Sequence, residues 1–228
     1  MSPRKAAALR DGEGDQTLRE HLIAAAERLM ARRGAAGLTV RDIAREARVA
    51  DGVLYNHFAG KEELLALALH AHVRTVEREL GERPTRAGSG TVEDNLRAYI
   101  TQGLALHAAI LPSFAGLLGR PEVLVRFANL PNPMAGGRGL REDLAVYLRA
   151  ERDLGRLAPE ANPEAAATMI IGACHELVLP HLLSGGAAAT LEIPPGFVEG
   201  LLTTVLNGIG PAGSPGTVPG EGPSAHLT

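Results

Sequence analysis

The chain reads as an all-α protein of about nine helices. An N-terminal three-helix helix-turn-helix domain comes first and a C-terminal helical bundle follows. Three observations predict this. Aromatic residues make up only 3% of the 228 residues, β-branched residues are scarce, and alanine and leucine are abundant, a mixture that favours helices over strands. Apolar residues recur at helical spacing through every long segment. Helix boundaries are written between them, as at Asn162-Pro163-Glu164, which offers an N-cap, a proline at the first position and an acid in the first turn.

Residues 1–15 read as a polar, disordered tail. Arg4, Lys5 and Arg10 could brush phosphate or a minor groove there, though a solvated tail is the plainer reading. A first helix is expected over 16–33, with Leu18, Leu22, Ala26, Leu29 and Met30 as its buried stripe. Arg32 and Arg33 suit its negative end, and Gly34 suits its C-cap.

Residues 39–61 predict two short helices joined by a tight turn. In the first, Val40, Ile43, Ala44 and Ala47 share a face. Thr39 with Asp42 approximates a capping box, and Leu38 with Ile43 occupies the staple positions. The second is expected over 51–58, anchored by Leu54 and Phe58, with Asp51 as its cap because Ala50 cannot serve. So small a pair cannot bury enough apolar surface alone. It is a tool held by something larger, most commonly a helix-turn-helix that reads DNA. Gly52 keeps the approach face low, Val53 can touch a thymine methyl, and Asn56 can pair with an adenine edge or a phosphate. Thr39 and Lys61 stand at helix starts where they can clamp phosphates, and Arg41 and Arg48 extend that clamp.

A fourth helix is expected over 61–80, with Gly60 as N-cap, Glu62 and Glu63 at its positive end, and Leu64, Leu65, Ala68 and Leu69 packed back on the reader. Residues 81–90 break the pattern. A fifth helix over 92–111 carries Leu96, Ile100, Gly103, Leu104, His107 and Leu111, and Pro112 is expected to stop it. Short helices at 113–118 and 121–128, a loop at 129–139, and a helix over 140–154 with Leu144, Tyr147 and Leu148 inward come next. The eighth helix runs to about residue 183, with Glu176 its only charge after Glu164, a bend at Pro180, and an end at Ser184-Gly185-Gly186. The ninth follows Pro194-Pro195 and carries Phe197, Val198, Leu201, Leu202, Val205 and Ile209. Residues 211–228, rich in Pro, Gly and Ser, read as disordered. The domain division is thus 16–60 and 61–210 between two tails. Two successive helices with almost no charge need a partner surface. A homodimer is expected in which helices eight and nine meet their copies as a four-helix bundle.

Charge is nearly balanced, at a formal −3, so it is the residue pattern that points to nucleic acid. A single cysteine, Cys174, excludes an intramolecular disulfide and suits a reducing cytoplasm. The longest uncharged run, 98–119, contains Thr101, Gln102, His107, Pro112 and Ser113 and reads as buried helix, so no membrane span is expected.

The run LTVRDIAREARVADGVLYNHFAGKEELL resembles the DNA-binding domain of TetR/AcrR-type transcriptional regulators. Its Leu-Tyr-x-His-Phe signature stands as Leu54, Tyr55, Asn56, His57 and Phe58, followed by Gly60, Lys61, Glu62, Glu63 and Leu64. The resemblance covers roughly residues 16–69; beyond it only the architecture is similar. It implies that Tyr55 and His57 donate to phosphate, that the fourth helix is the lever between the two domains, and that the chain dimerises as inferred above. It also implies a small-molecule pocket between helices four to eight. The candidate lining is Leu104, His107, Phe114, Leu117, Phe127, Tyr147, Met169, Cys174 and His175, a mostly apolar set suited to a hydrophobic or amphipathic effector. Core packing explains the same residues as simply. Three positions depart from the family pattern: Arg48 where glycine is usual in the turn, Ala50 where Ser or Thr is usual, and Asp51 where a small or basic residue is usual. A carboxylate at Asp51 repels phosphate unless capping or Arg48 neutralises it, which puts operator sequence and affinity in doubt.

Other chemistry has little support. Cys174 and His175 are adjacent on a helix and point apart, which argues against a nucleophile–base pair. His70, His72, His175 and His181 have no metal-site spacing. No glycine-rich phosphate loop follows a strand, and no cofactor is expected. The reading that results is a homodimeric, ligand-responsive regulator binding a near-palindromic double-stranded operator, most often as a repressor, released by a small effector. The alternatives are a helical-bundle enzyme using His107, Tyr147 and His175, or a dimeric binding protein without DNA function.

Overall fold

Helix α1 (Gly14–Arg33) stops where Gly34 turns to φ +71° and donates its N–H to the Met30 carbonyl. The later helices in the head are much shorter: α2 (Val40–Ala47), then a 3-10 turn (Asp51–Val53) leading into α3 (Leu54–His57). Helix α4 (Lys61–Leu80) follows, then α5 (Val92–Ala115), α6 (Pro121–Ala128), α7 (Leu140–Asp153), α8 (Pro163–Leu183) and α9 (Phe197–Asn207). This computed structural model describes residues 14–81, 86–183 and 192–209. Among the described residues there is no strand, and no helix is long and apolar enough to cross a membrane. The readings made for Arg4, Lys5, Arg10, the N-terminal tail up to residue 13, His181, the stop at Ser184-Gly185-Gly186 and the C-terminal tail lie outside the described residues or side chains, as do positions 82–85 of the break.

Two apolar cores are visible, and α4 belongs to both. The first gathers Leu22, Ala26, Leu29 and Met30 of α1, Ile43, Ala44 and Ala47 of α2, the anchors Leu54 and Phe58, and Leu64, Leu65, Ala68 and Leu69 of α4. Leu117 and Val123 also join it, from after α5 and from α6. The second gathers Val73 and Val76 of α4 with Leu96, Tyr99, Ile100 and Leu104 of α5, Leu144 and Leu148 of α7, Ile170, Cys174 and Val178 of α8, and Leu202 of α9. Each fully buried Leu or Ile contributes roughly 1.5–3 kcal/mol, so α4 is held firmly at both ends and cannot tilt without disturbing one core. Phe114 and Phe127 pack against both cores and meet edge to face, with ring centroids 5.2 Å apart.

Three expectations need correction. Pro112 does not stop α5; the helix runs on to Ala115 with the proline inside it, and the separate helix expected at 113–118 is absent. Proline removes only one donor, and the ladder resumes when Gly116 N–H bonds to the Pro112 carbonyl at 3.1 Å. The second reader helix is not a continuous α-helix over 51–58: its first turn is 3-10, and Phe58 is already extended at φ −135°. Asp51 does not cap it; Ala50 holds the cap position with no side-chain bond.

Where α5 ends, the second half of the chain also brings its backbone against that of the head. A Cβ built on Gly116 would lie 2.6 Å from the Ala36 nitrogen, closer than any side chain permits. Glycine is therefore required here by the close approach of two backbones, not by its own torsions.

Candidate nucleic-acid interface and effector cleft

The entry to α2 is fixed by a complete capping box. The Thr39 hydroxyl accepts from Asp42 N–H at 3.1 Å, and Asp42 Oδ2 accepts from Thr39 N–H at 3.0 Å. The Thr39 hydroxyl and then the Thr39 N–H, both donating to the Asp42 carboxyl, hold it below its ordinary range. The Thr39 hydroxyl proton is also directed to Asp42, so the donors that sequence reasoning assigned to a phosphate are occupied by the cap. Arg48 closes α2 in the left-handed region, at φ 58° and ψ 42°, and is the only non-glycine described with positive φ. Its N–H bonds back to the α2 carbonyls. The backbone therefore demands here what glycine supplies most easily.

The reader itself is an exposed rim over two anchors. Leu54 and Phe58 are buried, and the Arg19 guanidinium lies 4.9 Å from the Phe58 ring centroid, close enough for a cation–π contact. Tyr55 is 65% exposed. Asn56 and Gly52 are exposed, and nothing stands within 4 Å of where a Gly52 Cβ would be. Val53 is half-buried and packs on the head core, and His57 is half-buried with a partner of its own.

Electrostatics at the rim differ from the sequence-based expectation in one pairing. Asp51 is met by Arg41, with Nε 3.4 Å from Oδ2, rather than by Arg48. Both side chains are largely exposed, so the pair contributes little to stability, but it offsets the carboxylate that would repel a phosphate. Arg48 has no ion pair among the described residues. Lys61 is held below its ordinary pKa, first by partial burial and then by the nearby Arg120 charge. Sequence reasoning missed Arg120. It precedes α6, fifty-nine positions from Lys61 in the chain, and nothing local in the sequence signals that the fold brings the two cations together.

A cleft of about 1120 Å³ opens on the other side of α4. One stripe of α4 (His70, Arg74, Glu77, Arg78) forms a wall, Gln102 and Leu106 of α5 the floor, and Leu140, Asp143, Val146 and Tyr147 of α7 the facing wall; Pro131 to Ala135 and Arg138 close one end. His70 Nε2 lies 2.9 Å from the Pro131 carbonyl, and Glu77 accepts from Ala135 N–H at 2.7 Å, so α4 itself holds that loop. Of the nine residues chosen from sequence as pocket lining, only Tyr147 lines this cleft. Its hydroxyl turns inward, where burial pushes its pKa to about 12 beside Asn95 and Glu151. Leu104 and Cys174 are core, Leu117 sits in the head core, Phe114 and Phe127 form the junction, and Met169 is 54% exposed.

His107 and His175 do come together, across α5 and α8, with their Nε2 atoms 2.9 Å apart and the rings edge to face. One ring must donate and the other accept. Burial, and then the neighbouring His175, lowers the His107 pKa to about 4. Cys174 is fully buried and its thiol is pushed up to about 11 by that burial, which makes it a poor nucleophile. Tyr147 stands apart from the histidine pair, on the cleft. No group of three or more metal-ligating side chains occurs among the described residues.

Comparison with known proteins finds sequence similarity in the head and similarity of fold over most of the chain. Residues 22–68 match the family of bacterial regulatory proteins, tetR family. The HTH-type transcriptional repressor NemR of Escherichia coli is 33% identical over 86 residues, 38% of this chain and 43% of that one. The HTH-type transcriptional regulator HbdR of Aromatoleum sp. is 37% identical over 62 residues, 27% of each chain. The chain thus spans less than half the length of these curated relatives. The fold extends further. The fatty acid degradation regulator FadR from Bacillus halodurans superposes with a TM-score of 0.58 at 21% identity, covering 88% of this chain and 98% of that one. The reduced form of E. coli NemR gives 0.57 at 24% identity, covering 86% and 100%. The head of this chain is thus similar to the tetR family of bacterial regulatory proteins over residues 22–68, and the fold over most of the chain is similar to that of the FadR and NemR structures.

Proposed function

We propose that the protein is a homodimeric, ligand-responsive DNA-binding regulator, a repressor that a small effector releases from its operator. The observation that carries this reading is the double membership of α4. Its first half is built into the core under the reader, and its second half is built into the bundle and walls the cleft. A molecule seated in the cleft therefore touches the helix that positions Tyr55 and Asn56. An effector that binds one tilt of α4 better than another shifts the population of reader spacings by that difference in affinity and no more.

Two copies are needed to read a near-palindromic duplex, one reader in each of two successive major grooves. Support for the dimer comes from α8 and α9. One flank of α8 packs on α5 and α7, and the other leaves Met169 at 54% and Leu179 at 44% exposed; Leu206 of α9 is exposed as well. An apolar flank of this kind fits a second copy meeting it as a four-helix bundle.

The test is selection from random duplexes, followed by gel shift on the selected sequence. Tyr55→Ala combined with Lys61→Ala is expected to weaken binding at least tenfold, and affinity should fall steeply with salt because phosphate contacts release counterions. A chain that selects no sequence, or whose affinity ignores both substitutions, is not this regulator.

A further inference from the structure

We propose that the cleft between α4, α5 and α7 is a site for an amphipathic anion: a single long apolar body carrying a carboxylate or phosphate head. The proposal rests on the effector-responsive reading above and names the chemical class of its ligand.

The wall formed by α4 places Arg74 and Arg78 one turn apart on one face, toward the cleft. Like charges at that spacing repel each other and are ordinarily offset by a nearby carboxylate. Here the two carboxylates of the cleft are engaged elsewhere. Glu77 accepts from Ala135 N–H, and Asp143 holds Arg138 at 2.8 Å. Among the described residues Arg74 has no ion pair, and Arg78 has only a long bond to its own helix neighbour Thr75, at 3.4 Å. Two adjacent guanidiniums with no ion pair among the described residues offer a seat for an oxyanion, which both can grip with paired N–H donors.

Below them the surface changes character. Leu106, Leu140 and Tyr147 line the cleft, while Leu80 and Val146 remain 37% exposed on its rim. A solvated arginine face would not need an apolar trough beside it. Gln102 adds a second sign of an absent occupant. Its amide donates to the Leu80 and Gly81 carbonyls, which fixes its orientation, and its Oε1 is buried with no hydrogen-bond partner among the described residues. An unpaired buried acceptor is unfavourable until a donor reaches it, and a hydroxyl or amide on the ligand can do so. The cleft is large for a drug-sized ligand, and that suits a body longer than a small aromatic acid.

The same geometry supplies the coupling. An anion seated on Arg74 and Arg78 while its apolar body lies on Val146 and Tyr147 ties the end of α4 to α7. The pull is transmitted along the helix whose other half, Leu64 to Leu69, lies under the reader.

The experiment titrates the full-length protein calorimetrically with dodecanoate, monododecyl phosphate and dodecan-1-ol, each below its aggregation concentration. Both anions are expected to bind at least tenfold more tightly than the alcohol. Arg74→Gln with Arg78→Gln alters only exposed side chains; it should bring both anions to the alcohol's affinity and leave the alcohol within twofold. Val146→Glu should weaken all three. Circular dichroism confirms that the variants keep their helices. An alcohol that binds as tightly as the anions, or anion binding indifferent to the double glutamine, overturns the proposal. A parallel gel shift separates it from the reading it rests on. Anion binding by a protein that selects no duplex keeps the cleft assignment and removes the regulator, whereas duplex selection without anion binding removes the cleft assignment alone.

Discussion

The head and the bundle are built from the same alphabet of leucine and alanine, yet they differ in how many tasks each residue has. In the head, Leu54 and Phe58 anchor, Thr39 and Asp42 cap, and Tyr55 and Asn56 face outward. Each task needs a different side chain, so each leaves a different letter. In the bundle, leucine fills the core, lines the cleft and forms the exposed flank of α8. One letter serves three ends, and only the fold tells them apart. The difference teaches where sequence carries function: in places where physical requirements are mutually exclusive.

The largest expected effect asks whether the two regions are one folding unit. Phe58→Ala removes an anchor and its cation–π contact with Arg19 and should cost about 3–5 kcal/mol, and Leu104→Ala makes the matching deletion in the bundle core at about 2–5 kcal/mol. Because α4 joins both cores, the two variants are expected to lower one shared thermal transition by similar amounts. Two separate transitions, with Phe58→Ala moving only the first, would divide the molecule at the middle of α4. Calorimetry reads this directly.

Next in size is a pH dependence confined to the bundle. His107 titrates near 4 in the folded chain because of its burial and the facing His175, against an ordinary value of about 6.5. Between those values the unfolded chain holds a proton that the folded chain lacks, so stability rises with pH through that window. Acidification from 6.5 to 4 should therefore remove up to about 3 kcal/mol, with no further loss from this group below 4. His107→Leu should flatten that slope in a melting series. A slope that survives the substitution would place its origin in other groups.

A smaller effect probes the seam between the regions. Gly116→Ala puts a methyl group against the backbone at Ala35 and Ala36, and forcing two backbones apart should cost roughly 1–3 kcal/mol. No reader side chain is altered, so any change in duplex affinity at full occupancy of the folded state measures coupling across the seam. Equal affinity with a lower melting temperature would make the contact structural only.

Much of this was legible in the sequence, for identifiable reasons. The capping box is four letters long and complete within itself. The helix at 121–128 is announced by its own proline and is found at the expected residues. The start of α8 at Asn162, whose side chain accepts from Ala165 N–H at 2.9 Å, is equally local. What failed depended on distance or on context. Asp51 finds Arg41 ten positions away, on another element. Pro112 sits inside α5 because the surrounding core holds the helix through one missing bond, which no local rule foresees. The lining expected from spacing and this cleft share only Tyr147: His107 meets His175 of α8, while Gln102 and Leu106, on the same helix and equally periodic, line the cleft beside α4. Spacing identifies a buried face; it does not say which neighbour will bury it.

The smallest effect is the sharpest for the comparison, because at Arg48 structure and function make opposite demands. Its left-handed conformation, at φ 58°, is costly for a side chain and free for glycine. Arg48→Gly should therefore relieve strain of about 1 kcal/mol, less the entropy that glycine adds to the unfolded chain. The net change expected is a gain of a few tenths of a kcal/mol, read as a slightly higher melting temperature. The same substitution removes an unpaired cation from the rim of the reader. If Arg48 contacts phosphate, duplex affinity falls several-fold and the salt slope drops by about one. A more stable protein that binds DNA less well would mean that the strain is kept for the contact. A more stable protein with unchanged affinity would mean that Arg48 serves neither role, and that the head tolerates one residue its backbone does not want.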